Sequence, residues 1–318
     1  MRDIEVNQND ADQRLDRFIK KYLPLASEAF IQKMIRTKKI KLNKKRATPD
    51  LNLVEGDRIQ FYIYEEELEK YEKKPVRRRS SVFLSFVEDN SNFSIIDKGK
   101  AVLSHAAKKS DYGNNIVDAY VDYLIDQGDY QPRLENSFRP SLVNRLDFNT
   151  EGLIIGAKNH RSAGLLNAAI SDGRIKKYYR AVCYGKIEQD MVIDDELIRE
   201  GKRVRVAERH ESGMASVTRI HPICHGQDWT YLDICLETGR FHQIRVHLAS
   251  IGHPLVGDQT HGRKVELYSR IQSQMLIAYR LDFLDIEKDY PWNNRQFYSK
   301  RIERFEDSLK LLDESARR

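Results

Sequence analysis

The sequence predicts an α+β protein: a mixed, mainly antiparallel sheet in a large C-terminal domain, preceded by a small N-terminal α/β unit. Three observations carry this reading. Helical periodicity gives way to strand-like alternation within roughly the first seventy residues. Residues 65–81 then lose nearly all apolar content, so they cannot bury enough surface to hold a fold. Beyond Val82, β-rich segments are separated by Gly or Asn turns, without the regular strand–helix alternation of a doubly wound sheet. The boundaries fall at 1–72, 73–82 for the linker, and 83–318, the last ending in a helix.

In the first unit, Leu15, Phe18, Ile19 and Tyr22 recur at helical spacing and Pro24 ends the helix. Ser27 is placed to cap a second helix that carries Phe30, Ile31, Met34 and Ile35 on one face. Lys39 to Asn43 alternates polar and apolar residues, as a half-buried strand does. Glu55-Gly56-Asp57 turns into a second alternating strand, Arg58 to Tyr64. After the linker-like stretch Glu65–Ser81, strands are expected at Phe93–Ile96, Gly152–Ala157, Tyr179–Tyr184 and Tyr231–Leu236. A helix is expected at Ser162–Ser171, and a terminal one at Ile302, Phe305, Leu309 and Leu312.

Bulk properties narrow the function classes. The 318 residues are 40% hydrophobic and 32% charged, as in a soluble globular protein. No apolar run reaches the roughly 20 residues needed to span a bilayer, and Met1–Asp10 lacks the apolar core of a signal peptide. A cytoplasmic protein is expected. Cys183, Cys224 and Cys235 lie far apart, which fits buried thiols in a reducing compartment and argues against structural zinc. The net charge of +6 permits a polyanionic partner. No apolar interface stripe is evident, so a monomer is expected.

Charge placement is more telling than its sum. Seven of the eleven residues from Arg36 to Arg46 are basic: Arg36, Lys38, Lys39, Lys41, Lys44, Lys45 and Arg46. A helix end, a strand and a turn would gather them into a ridge suited to phosphates, although such a run alone also reads as a solvated face.

Three further clusters could do chemistry. The first is Asn144-Arg145-Leu146-Asp147-Phe148-Asn149-Thr150-Glu151-Gly152, running into Leu153-Ile154-Ile155. It would hold a carboxylate and a nearby cation at a sheet edge, though an isolated loop aspartate more often caps its own turn. In the second, Lys176-Lys177-Tyr178-Tyr179-Arg180-Ala181, adjacent tyrosines on a strand face opposite ways. One can face a cleft, or both can simply pack. The third runs Thr238-Gly239-Arg240-Phe241-His242-Gln243-Ile244-Arg245-Val246-His247-Leu248, then Gly252-His253-Pro254 and Gly257-Asp258. A turn there leads into a helix from about His242, with His242 and Arg245 on one face. Metal binding by His242, His247 and His253 is disfavoured, because no His pair has i,i+4 spacing around a glutamate.

In order and separation, these clusters resemble the RluA family of pseudouridine synthases. The family's His-Arg-Leu-Asp-x-x-Thr-Ser-Gly appears as Asn144 to Gly152, and its Lys-x-Tyr-x-Ala as Lys177 to Ala181. Its Thr-Gly-Arg-x-His-Gln-Ile-Arg-x-His-Leu is complete from Thr238 to Leu248. Gln13–Phe18, Ile31–Asn43 and Val54–Ile59 resemble the alpha-L RNA-binding motif of a small-subunit ribosomal protein and of many RNA-modifying enzymes. That favours the phosphate-binding reading of the basic ridge.

The resemblance implies isomerisation of uridine in structured RNA, with large-subunit ribosomal RNA favoured over transfer RNA and with no cofactor or metal. It implies Asp147 as the catalytic carboxylate, Arg245 as its catalytic ion-pair partner, and Tyr179 as a catalytic residue that stacks on the target base and can help deprotonate C5 during reattachment. Attack on the sugar, attack on the base, and deprotonation of the ribose are all open to Asp147. A base must leave the RNA stack to be reached, and Arg145 matches the family arginine placed to fill the gap. Arg240, His242, Gln243 and Lys177 are expected against the substrate. Asn144, Glu151, Lys98-Gly99 and Ile277 depart from the family pattern, which bears on substrate preference more than on catalysis. The rival readings are a non-catalytic RNA- or ribosome-binding protein and an RNA methyltransferase. The intact Asp147, Tyr179 and Arg245 weigh against the first, and the lack of a glycine-rich cofactor loop weighs against the second.

Overall fold

A computed structural model of the chain describes residues 2–72, 79–130, 132, 138–201, 203–262, 271–286, 292–310 and 312. Its N-terminal unit comprises β1 (Arg2–Glu5), α1 (Leu15–Tyr22), α2 (Glu28–Arg36), β2 (Ile40–Leu42), β3 (Lys45–Arg46), β4 (Arg58–Phe61) and α3 (Glu65–Glu69). The strands form one sheet in the order β1-β4-β2-β3. The helices α1 and α2 follow from their sequence periodicity. Leu15, Phe18 and Ile19 of α1 and Ile31, Met34 and Ile35 of α2 are buried in a shared core, and the Ser27 hydroxyl accepts the Phe30 N–H at 3.2 Å. On β2, Ile40 and Leu42 point inward and Lys41 outward.

Two parts of this unit escape local reading. β1 has one buried apolar residue, Ile4, and owes its strand to pairing with β4. The stretch from Glu65 was expected to be linker, but α3 buries Leu68 completely and the Tyr71 ring packs 4.5 Å from that of Phe30. Arg2 ties the same segment down through Glu65 and Glu72. Two apolar side chains are enough to dock one short helix, so low apolar content was a misleading sign there. Lys73, Lys74, Arg77 and Arg78 of the expected linker lie outside the described residues, whereas Arg79 pairs with Asp126 at 2.6 Å.

The large domain continues with β5 (Phe86–Asp89), β6 (Phe93–Lys98), α4 (Ile116–Gln127), β7 (Ser141–Leu142), β8 (Glu151–Ala157), α5 (His160–Ser171), β9 (Ile175–Tyr184), β10 (Met191–Glu200) and β11 (Arg203–Val206). β12 (Met214–His225), β13 (Trp229–Leu236), α6 (Gln243–Ser250), β14 (Leu276–Phe283), β15 (Gln296–Tyr298) and α7 (Ile302–Asp307) complete it. The main sheet runs β11-β10-β12-β13-β9-β14-β8-β6-β5, with β15 beside β14 and β7 beside β8. Among the described residues only β14 and β8 pair in parallel, so the sheet is mixed and mainly antiparallel.

Both faces are covered. Tyr179, Ala181, Ile234, Leu236, Leu276 and Ala278 point to one face, where Ile244 and Leu248 of α6 close over them. Val182, Trp229, Tyr231 and Tyr279 point to the other, against Phe305 of α7. Where β8 meets β14, Gly152 has φ +112°, and a Cβ there would lie 2.1 Å from the Ala278 carbonyl oxygen. Only glycine permits that approach, which brings the loop before β8 over the α6 face. The thiols differ from the expected burial: none of the three is in a disulfide, but only Cys183 is buried, Cys235 is half-buried and Cys224 is exposed near the end of β12.

Candidate active site

The loop carrying Asp147 is held from three sides. The Ser104 hydroxyl donates to the Leu146 carbonyl (2.7 Å) and accepts the Leu146 N–H (3.1 Å). The buried Lys98 ammonium donates to the carbonyls of Gly99, Val102 and Phe148 at 2.9–3.1 Å. Burial pushes that ammonium down to about 8, partly offset by the charge of Asp147. Asn144 fastens the near side, with its oxygen accepting the Ile155 N–H at 2.8 Å. The loop is therefore a fixed mount for one side chain.

Arg245 reaches that side chain from α6. Its Nη1 donates to Asp147 Oδ2 at 2.9 Å, while Nε and Nη2 grip Asp258 Oδ2 and Oδ1 at 2.7 Å each. The bidentate grip uses the planar fork of the guanidinium. Side-chain exposure falls from 20% at Asp147 to 6% at Arg245 and 0% at Asp258. Burial opposes charge on Arg245, but the Asp258 and Asp147 carboxylates outweigh it and raise its pKa. Burial likewise opposes charge on Asp258, and the hydrogen bonds and charge of Arg245 hold its carboxyl below the ordinary range. One guanidinium thus serves two carboxylates, one sealed and one open to the cavity.

Arg145, Asp147, Tyr179, Arg240, His242, Gln243 and Arg245 all line this cavity, with Leu146, Thr150, Leu236, Ile244 and Leu276 as apolar or neutral walls. Tyr179 is buried on the cavity face of β9; burial first, and Asp147 second, push its phenol well above the ordinary value. Tyr178 faces the other way, under the Arg280 guanidinium at 3.6 Å. His242 approaches Asp147 Oδ2 through Nε2 at 3.5 Å. It does so from a left-handed residue (φ 56°) just before α6, rather than from a helical face shared with Arg245.

Two expected substrate contacts are used differently. Gln243 is saturated internally: its oxygen accepts from Thr238 Oγ1 and Arg240 N, and its amide donates to Val217 O and Thr218 Oγ1, all at 2.8–3.0 Å. Nothing remains for a ligand, so it braces the Thr238–Arg240 turn. Lys177 is buried beneath that same turn, against Gly239, and is not among the cavity-lining residues. Their side-chain directions depend on how the turn folds back over β9, which no local pattern encodes. Asn144, Glu151 and Ile277 also lie outside the lining. Asp258 was legible only as part of a Gly-Asp pair, and its role as the second anchor of Arg245 emerges from the fold.

The basic ridge lies on the N-terminal unit. Arg36, Lys38, Lys39, Lys44, Lys45 and Arg46 are exposed and Lys41 is half-buried, its ammonium 4.6 Å from the centre of the Tyr62 ring. None of the seven pairs with a described acidic residue. No described helix is long and apolar enough to cross a membrane.

The RNA pseudouridylate synthase family matches residues 92–250, half of the chain, and the S4 domain family matches residues 13–59. An uncharacterized RNA pseudouridine synthase of Aquifex aeolicus is 28% identical over 88% of this chain and 88% of its own. A protein named ribosomal large subunit pseudouridine synthase D, from Haemophilus influenzae, is 29% identical over 81% of this chain and 76% of its own. In fold, the chain resembles human RNA pseudouridylate synthase domain containing 4, with TM-score 0.54 and 17% identity over 71% of this chain and 92% of that one. The chain belongs to the RNA pseudouridylate synthase family and carries an N-terminal S4 RNA-binding domain.

Proposed function

We propose that this family member converts uridine to pseudouridine in structured RNA of the large ribosomal subunit, in the cytoplasm, with Asp147 as the reacting carboxylate. The observation that carries this is the 2.9 Å contact between Arg245 Nη1 and Asp147 Oδ2 at the edge of a cavity that also holds Tyr179. A carboxylate that must act as nucleophile or base has to stay ionised in a half-buried cleft, and a fixed guanidinium supplies the opposing charge. The reaction breaks the N1–C1′ bond, turns the uracil and closes C5 onto C1′. A proton leaves C5 and another is gained at N1, so the sum of atoms is unchanged.

Tyr179 offers a ring for the flipped base. Its phenol holds its proton well past neutral pH, so it acts as a stacking surface rather than as a standing base. Arg145, exposed at the cavity mouth, fills the place the base vacates. Arg240 and His242 meet the extruded nucleotide. The exposed ridge on the S4 domain supplies phosphate contacts that position the RNA without reading the base. The large ribosomal subunit is favoured because curated relatives such as the Haemophilus influenzae protein are named for it.

The test is Asp147→Asn with a large-subunit ribosomal RNA transcript, scoring pseudouridine by mass shift after cyanoethylation. Turnover is expected to fall by at least about a thousandfold, with RNA affinity unchanged within about twofold. Retained turnover would refute the assignment of Asp147. Mapping of pseudouridines in cells lacking the protein tests the substrate: the lost sites should lie in large-subunit ribosomal RNA, and losses confined to transfer RNA would overturn that part.

A further inference from the structure

Beside the Asp147–Arg245 pair lies a second, uncharged chain of contacts that the proposed function leaves unused. His242 Nδ1 is 3.0 Å from His261 Nε2. The two rings stand at 84° with centroids 5.2 Å apart, the separation of rings that meet nitrogen to nitrogen in line. This is an in-plane N–H···N hydrogen bond, so one imidazole donates and the other accepts. Phe241 stacks on His242 at 3.9 Å and 20° and holds the ring in its plane. The His261 backbone N–H donates to Asp258 Oδ1 at 3.1 Å. A closed circuit results: Asp147 to Arg245, to Asp258, to His261, to His242 and back to Asp147.

Two neutral tautomers of His242 are conceivable, and electrostatics separates them. With the proton on Nδ1, the Nε2 lone pair would face Asp147 Oδ2 at 3.5 Å, setting two electron-rich atoms against each other. With His261 Nε2–H donating to Nδ1, the single proton of His242 sits on Nε2 and points at the carboxylate. Burial, the nearby Arg245 and His261 itself outweigh the pull of Asp147 and Asp258 and lower the His242 pKa to about 4, so a doubly protonated ring does not compete near neutral pH. Arg145 and Arg240 are the other cations lining the cavity.

We propose that His261 is a positioning residue that fixes His242 as its Nε2–H tautomer, so that an N–H faces Asp147 Oδ2 beside the Arg245 donor and Oδ1 is left as the reacting oxygen. Oδ2 already takes the Arg245 Nη1–H, and among the described residues no donor is bonded to Oδ1. With one oxygen engaged in this way, the other keeps its lone pairs free for the substrate. The consequence for Asp147 rests on its being the reacting group; the tautomer assignment does not.

The first measurement is 15N NMR of histidine-labelled full-length protein at pH 7. His242 should show a protonated Nε2 and an unprotonated Nδ1; the reverse pattern overturns the proposal, whatever any variant does. The second is kinetic, with a large-subunit ribosomal RNA transcript. His261→Phe should lower kcat about tenfold, the loss of one hydrogen bond between neutral rings, with KM unchanged. His261→Gln, whose amide N–H can take the same place, should recover to within about threefold of the parent. In a His242→Phe background, His261→Phe should cost nothing more. A full additional loss there, or failure of the glutamine to restore turnover, would overturn the relay. If Asp147→Asn retains turnover, the reading of Asp147 fails instead. If that variant is dead while His261→Phe runs at the parental rate, the relay alone fails.

Discussion

The two basic regions of this protein use the same side chains in opposite ways. On the S4 domain, Arg36, Lys38, Lys39, Lys44, Lys45 and Arg46 stand exposed without described carboxylate partners. In the cleft, Arg245 is 6% exposed and every nitrogen of its guanidinium meets a carboxylate oxygen. A charge left in water is available to a phosphate and is screened by salt. A charge sealed between two carboxylates is held away from solvent and screened little by salt, and it fixes the orientation of its partners. Arginine and lysine content alone therefore says little; pairing separates cations open to a phosphate from cations committed to carboxylates.

The strongest way to break this contrast is to remove the sealed cation. Arg245→Met leaves Asp147 and the fully buried Asp258 without their shared counter-charge. Turnover should fall by on the order of a thousandfold, and stability by about 3–5 kcal/mol, the cost of stranding a buried charge. Single-turnover kinetics and denaturant melts check both, and a stable, active variant would mean that the pair is ornamental. Next in size is the exposed side. Neutralising Lys39, Lys41 and Lys44 together should weaken RNA binding at least about tenfold at low salt and flatten the log–log salt slope by about 2–3. Filter binding between low and moderate salt reads this, and an unchanged slope would remove the ridge from RNA recognition.

A smaller, pH-dependent effect sharpens the same comparison. Burial lowers the His242 pKa from 6.5 to about 4. Between those values the unfolded chain binds more protons than the folded one, so stability falls as pH drops through about 6.5 to 4 and the effect is absent above that window. His242→Gln should make the acid-side loss shallower in thermal melts, whereas the ridge variant should leave it unchanged. The smallest effect concerns local structure. Ser27→Ala removes the cap of α2 and should cost the N-terminal unit about 1 kcal/mol, seen as a lower melting temperature.

Much of the fold was legible because its causes are local. The 3.6-residue period of α1 and α2, the Ser27 cap and the two-residue alternation around Lys41 each depend on neighbours a few positions away. The family motifs likewise pointed to Asp147, Tyr179 and Arg245, and all three line one cavity. β1 and α3 were not legible, since a single apolar residue in each gives no period, and long-range partners had to supply their order.

Taken by itself, then, the sequence determined which side chains could react and which local elements carry them, since periodicity, capping and turn chemistry act over short spans. Tertiary structure decided the rest. It set Arg245 against an aspartate 98 residues away and enlisted Asp258 as a second anchor. It turned Gln243 and Lys177 inward and brought His261 to His242. These outcomes follow from the parallel pairing of β8 with β14 and from α6 closing over the sheet. Directions of that kind are fixed by packing between distant segments, where no spacing along the chain can encode them.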